Sequence, residues 1–195
     1  SVSLFLEHGL PVDGVSGDWT ALQAACAKDR LAVATVLLES GAGINQSDSD
    51  GHSPLSVTSQ FGHVDVARLL LEKGASINQA TKEGISALYL ASLNNHVDAV
   101  RFLLENGADV NQVNDHGVSP LYFASLEGHV DVARLLLGNG ADINLADNDG
   151  HSPLLTACQA ASDDVARLLV ERKWCQRRTS QQRRLVTTPF RVQSR

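Results

Sequence analysis

The chain has 195 residues, 43% hydrophobic and 19% charged, a composition that supports a packed core and excludes global disorder. No uncharged apolar run approaches the roughly 18–20 residues of a membrane helix. The net charge of −6 is unevenly spread: residues 1–171 hold all 22 acids and 8 bases, a net of −14, whereas residues 172–195 hold 8 bases and no acid.

Three cysteines are too few and odd in number for a disulfide framework, which points to a reducing compartment. The first residues lack the basic, apolar and small-residue order of a signal peptide. The expected location is therefore intracellular, cytoplasmic or nuclear. The chain begins at Ser1 and contains no Met, so a fragment of a longer protein is expected.

From the first residues onward the chain repeats itself. Val2–Gly9, VSLFLEHG, matches Val100–Gly107, VRFLLENG, so residues 1–17 read as the end of a partial unit. Units 18–50, 51–83, 84–116 and 117–149 follow, and a partial one covers 150–172. Gly51, Gly84, Gly117 and Gly150 lie 33 apart, as do the Gly-Ala pairs beginning at Gly41, Gly74, Gly107 and Gly140. Leu22, Leu55, Leu88, Leu121 and Leu154 keep the same step. A fixed period outranks any local motif, because each unit is then one stackable piece of structure.

Unit 51–83 shows the local physics. Ser53-Pro54 is a helix start: the serine oxygen caps free N–H groups and proline is pre-set for the first helical position. The first helix is predicted to reach about Gln60, with Gly62 ending it. A second is predicted over about Val64–Lys73, with Asp65 favourably placed in its first turn. There Val66, Leu69 and Leu70 recur at the spacing of a buried face. Gly74 is the predicted left-handed stop. Ile77 follows in an extended piece, then a polar turn, Gln79–Glu83. Two antiparallel helices and a projecting loop cannot bury an apolar face alone, but a stack of them shares a continuous core.

These motifs resemble the ankyrin repeat. Ser53-Pro54-Leu55 with Gly62-His63, Ser119-Pro120-Leu121 with Gly128-His129, and Gly107-Ala108-Asp109-Val110-Asn111 carry the resemblance, which spans about residues 1–172. It implies an all-α solenoid of stacked helix-turn-helix units with hairpin-like loops. Departures exist: the family histidine after Pro-Leu is here Ser56, Tyr89, Tyr122 or Leu155, and Asp29-Arg30 stands where Gly-His is usual.

Residues 173–195 leave the pattern. A Gly-Ala pair is due, and Lys173-Trp174-Cys175 stands instead. Read one base later, the codons of Trp174-Cys175 give Gly without choice. Those of Cys175-Gln176 give Ala or Val, and later codons permit Asp-Gly-x-Ser-Pro-Leu. The two glycines of that hidden peptide fall 10 apart, as Gly140 and Gly150 do. The segment is thus expected to be a basic tail, disordered or translated out of frame from a sixth unit. The functional alternatives are a basic arm for phosphate backbones and a basophilic kinase site at Arg177-Arg178-Thr179-Ser180.

Candidate chemistry in the repeats reduces to scaffolding. His63, His96 and His129 recur once per unit, too far apart to share a metal when helices pack about 8–10 Å apart and Zn–N bonds are about 2 Å; hydrogen bonding at the interhelix turn is expected. Cys26 and Cys158 share a position with Ser59, Ser92 and Ser125, where close packing needs a small side chain. Asp48-x-Asp50-Gly51 and Asp147-x-Asp149-Gly150 lack the first and twelfth ligands of a calcium loop. Asn45-Gln46-Ser47 is a glycosylation sequon of relevance only in a secreted chain. Asn45, Asn78, Asn111 and Asn144 share one position, read as holding the hairpin; the resemblance also implies possible hydroxylation there. No catalytic residue, metal or cofactor is assigned.

In a solenoid, function sits where units differ. Trp19, His52, Ile85, Val118 and His151 occupy a variable place two before Ser-Pro-Leu or its equivalent. Phe61, Leu93, Asn94, Leu126 and Glu127 occupy the ends of the first helices, and Asp115 and His116 border the unit at 117. The resemblance puts these in a concave groove that holds partners. Apolar members point to apolar contact with a protein. Acidic tips, Asp48, Asp50, Glu83, Asp115, Asp147 and Asp149, would steer a basic partner and repel nucleic acid. The expected function is a non-catalytic interaction scaffold, monomeric, binding a protein with a basic rim around an apolar anchor. The alternatives are an array that targets or regulates an enzyme domain, and a nucleic-acid binder using the tail.

Overall fold

The computed structural model describes residues 15–16 and 19–186, with side chains over 19–174. The expected partial unit over 1–17 falls almost wholly outside the described residues, as do residues 187–195.

A two-residue hairpin comes first, β1 (Val15–Ser16) paired antiparallel with β2 (Trp19–Thr20). Ten helices follow among the described residues: α1 Ala21–Ala27, α2 Leu31–Glu39, α3 Pro54–Phe61, α4 Val64–Glu72, α5 Ala87–Leu93, α6 Val97–Glu105, α7 Pro120–Leu126, α8 Val130–Gly138, α9 Pro153–Gln159 and α10 Asp163–Val186. None of them is long and apolar enough to cross a membrane.

Each first helix starts on a hydroxyl. Ser53, Ser86, Ser119 and Ser152 accept from the backbone N–H three residues on. Thr20 does so within a capping box, its own N–H donating to Gln23 Oε1 at 2.8 Å. Ser86 does this without a following proline. The second helices α4, α6 and α8 have no side-chain cap, but Asp65, Asp98 and Asp131 place a negative charge in their first turns. Gly41, Gly74, Gly107 and Gly140 follow α2, α4, α6 and α8 with positive φ, so the stop predicted at Gly74 is observed and recurs in the other units.

The first helices stack in the order α1, α3, α5, α7, α9, and the second helices beside them as α2, α4, α6, α8, α10. The single core between the two rows is built from the repeating leucines: Leu22, Leu55, Leu88 and Leu121 from one row, Leu37, Leu70, Leu103, Leu136 and Leu169 from the other. The loops form little regular strand. Beyond β1–β2 the bridge Ala80–Ser86 stands alone among the described residues.

Helix α10 departs from the pattern. No Gly-Ala pair halts it at 173, and its backbone stays helical to Val186. Lys173 and Trp174 continue the helix at the place where the Gly-Ala pair was due, because nothing there supplies a left-handed residue to turn the chain.

Candidate partner-binding surface

Four loops share one skeleton. Asp48, Thr81, Asn114 and Asp147 each accept, through a side-chain oxygen, the N–H four residues on: His52, Ile85, Val118 and His151, at 2.8–3.1 Å. The backbone N–H of Asp48, Thr81, Asn114 and Asp147 in turn donates to the carbonyl of the same residue four on. An oxygen acceptor two atoms beyond Cβ, or a hydroxyl, suffices for this turn, which is why Asp, Asn and Thr interchange. Successive tips are tied by backbone bonds, Lys82 N to Asp50 O, Asp115 N to Glu83 O and Asn148 N to His116 O.

This geometry sorts the predicted tip acids. Asp50, Glu83, Asp115 and Asp149 are exposed. Asp48 and Asp147 are not free tip charges: both are half-buried and spend their carboxylates on the turn's N–H groups. Burial would raise the Asp147 pKa, but the His151 N–H, the Tyr122 hydroxyl and the His151 ring outweigh it and hold the carboxyl below its usual range. Asp147, Asp149 and His151 bring possible ligand atoms within 4.8 Å of one another. Asp147 Oδ1 already accepts from the N–H groups of Asp149 and His151, and Oδ2 lies 3.2 Å from the His151 ring nitrogen Nδ1.

Of the variable residues, Trp19 and Phe61 are the exposed aromatics, 37% and 42% accessible. The Phe61 ring stacks on His63. Ile85, Val118, Leu93 and Leu126 are half-buried. Asn94, Glu127 and His116 are exposed; the Asn94 amide donates back to the Leu90 carbonyl at 2.8 Å. His52 and His151 are half-buried. Asp50, His52, Glu83 and Ile85 come together in one recess, completed by Thr81 and Lys82. Lys82 places a cation inside the otherwise acidic row.

The recurring histidines join units. Nε2 of His63, His96 and His129 donates to the carbonyls of Ala27, Gln60 and Leu93, each 36 residues earlier, at 3.4, 3.0 and 3.1 Å. Ser162 repeats the bond to Leu126. The hairpin asparagines also bridge units rather than holding their own loops: Asn45, Asn78 and Asn111 accept from the N–H of Ser76, Asp109 and Asp142 at 2.8–2.9 Å.

A ladder absent from the sequence reading runs through the position where the family has histidine. Gln23 donates to the His52 carbonyl at 2.6 Å, and the Tyr89 hydroxyl meets the Asn114 amide at 3.4 Å. The Tyr122 hydroxyl reaches Asp147. Only a 25-residue spacing between Tyr89 and Asn114, repeated by Tyr122 and Asp147, could have signalled it. Burial pushes the Tyr89 hydroxyl up to about 12, and its ring meets that of Phe123 edge-on at 5.1 Å.

Comparison with known families agrees with this architecture. A model described as ankyrin repeats in three copies matches residues 40–114, 77–147 and 112–182, and a single ankyrin-repeat model matches 17–49. No curated protein matches the chain. Ankyrin repeats are in general protein-interaction modules, and this chain belongs to the ankyrin-repeat family.

Proposed function

We propose that the chain is a non-catalytic adaptor that binds a protein partner across its hairpin tips and the ends of its first helices. One observation carries the reading. The backbone bonds of the loops repeat from unit to unit, while the residues mounted on them differ: Trp19, His52, Ile85, Val118 and His151 in one row, Phe61, Asn94 and Glu127 in another. A scaffold held constant under changing exposed side chains is how a repeat array encodes recognition. The exposed acids Asp50, Glu83, Asp115 and Asp149 favour a partner with a basic rim, and Trp19 and Phe61 favour an apolar anchor at its centre.

Affinity capture with the full chain, followed by calorimetry on the recovered partner, tests this. Trp19→Ala or Phe61→Ala is expected to weaken binding by about 2 kcal/mol each, and added salt to weaken it further. Recovery of acidic or nucleic-acid partners alone, bound equally well by both variants, would overturn the assignment.

A further inference from the structure

Among the described residues, nothing stands on the outer face of the last unit. Cys158 is exposed, whereas Cys26, Ser59, Ser92 and Ser125, at the same position in the four preceding units, are buried. Leu154 is only partly buried, although Leu22, Leu55, Leu88 and Leu121 are fully so. Ala166 is half-buried against fully buried Ala34, Ala67, Val100 and Ala133. Leu155 is 43% and Val170 46% accessible, while Leu137, one period before Val170, is buried.

The polar half of the joint is open too. Gly51, Gly84 and Gly117 lie so close to the following hairpin that a Cβ would stand 2.7–2.9 Å from it; around Gly150 there is nothing within 4 Å. Asn45, Asn78 and Asn111 each hold an N–H of the next unit, and Asn144, their counterpart, is exposed. Trp174, the last residue with a described side chain, is 68% accessible and does not cover the face.

We infer that this face is the stacking surface for a sixth helix-turn-helix unit of the same 33-residue kind. The four joints before it define the occupant, since the positions left open are those that each joint covers with the next unit's first helix, second helix and hairpin. The out-of-frame Gly-Ala and Ser-Pro-Leu permitted by the codons of residues 173–191 supply the motifs that such a unit needs at this place.

Two measurements on the chain as it exists, and one on an extended form, test the inference. Sequencing the transcript over residues 173–195 should give, one base on, Gly-Ala and then Asp-Gly-x-Ser-Pro-Leu; a shifted frame without them overturns it. Iodoacetamide labelling read by mass spectrometry should modify Cys158 in the native chain at every concentration, with buried Cys26 as the unlabelled control. Protection of Cys158 that is lost on truncation after Arg172 would show that the tail covers the face. Protection that rises with concentration would show that a second copy does. Either result overturns the inference. Replacing residues after Arg172 by a copy of residues 140–172, one period earlier, should slow Cys158 labelling by about tenfold or more. Undiminished labelling while Cys26 stays protected refutes it, and should that variant not fold, the first two measurements still decide.

Discussion

The imidazole of His96 stands where a side chain on Gly62 would have to go: a Cβ built on Gly62 lies 2.7 Å from the ring, which itself donates to the Gln60 carbonyl at 3.0 Å. Gly62 also holds φ +75. Ala161, at the same position in the last unit, adopts φ +54 with a methyl group, so the conformation alone does not exclude a side chain. Gly62→Ala is expected to cost about 2 kcal/mol or more, part conformational and part overlap. Gly128→Ala, whose Cβ would meet the Ser162 side chain, its hydroxyl at 3.2 Å, should cost less. Urea denaturation of both variants measures the difference.

Leu121 is buried at the centre of the stack, between α5 and α9. Leu121→Ala is expected to lower stability by about 2–5 kcal/mol. In a linear array the loss falls on one unit and its two joints. Hydrogen exchange should therefore quicken most in units 84–116, 117–149 and 150–172. Uniform acceleration across the chain would contradict nearest-neighbour coupling.

Asp147 carries an acid dependence. Its pKa is lowered in the folded chain. The stability it contributes is thus present above the ordinary carboxylate pKa and is lost as pH falls through the lowered one. Asp147→Asn should keep the turn, because Asn114 makes the same bond to Val118 at 2.9 Å in the preceding unit. It should also flatten the acid limb of a stability-against-pH curve below about pH 5. An unchanged limb would mean that the carboxylate is not differentially held.

Cys26 should be chemically quiet. Burial raises its thiol to about 11, more than the Thr58 side chain and backbone contacts lower it. The thiolate needed for alkylation is scarce at pH 8. Native Cys26 is expected to resist a thiol reagent until the first two units open, and to react at once in denaturant. Prompt labelling in the folded chain would place the joint between α1 and α3 among the loose parts of the array.

Much of the architecture is legible in one copy of the repeat. Ser53-Pro54 predicts the start of α3, and Gly74 the stop of α4, because a cap and a left-handed residue act on their own neighbours. Helix α3 ends at Phe61 rather than Gln60, and α4 at Glu72 rather than Lys73. The recurring His63, His96 and His129 could be read as hydrogen-bonding residues, but not as bonds to the unit before. The variable positions were legible as positions; their exposure was not. Leu93 and Leu126 read as surface residues at helix ends, yet each is half-buried.

By itself the sequence determined the period, the family resemblance, the two helices of each unit and the leucine core, since these follow from propensity, capping and spacing inside 33 residues. Only the tertiary structure decided which acids are free. Asp48 and Asp50 are two residues apart and chemically alike, but one carboxylate folds into the turn while the other faces solvent. Likewise only the stack separates Cys26 from Cys158. Both sit at one place in the repeat, and burial there depends on whether the next unit stands against it, a contact that no residue encodes alone.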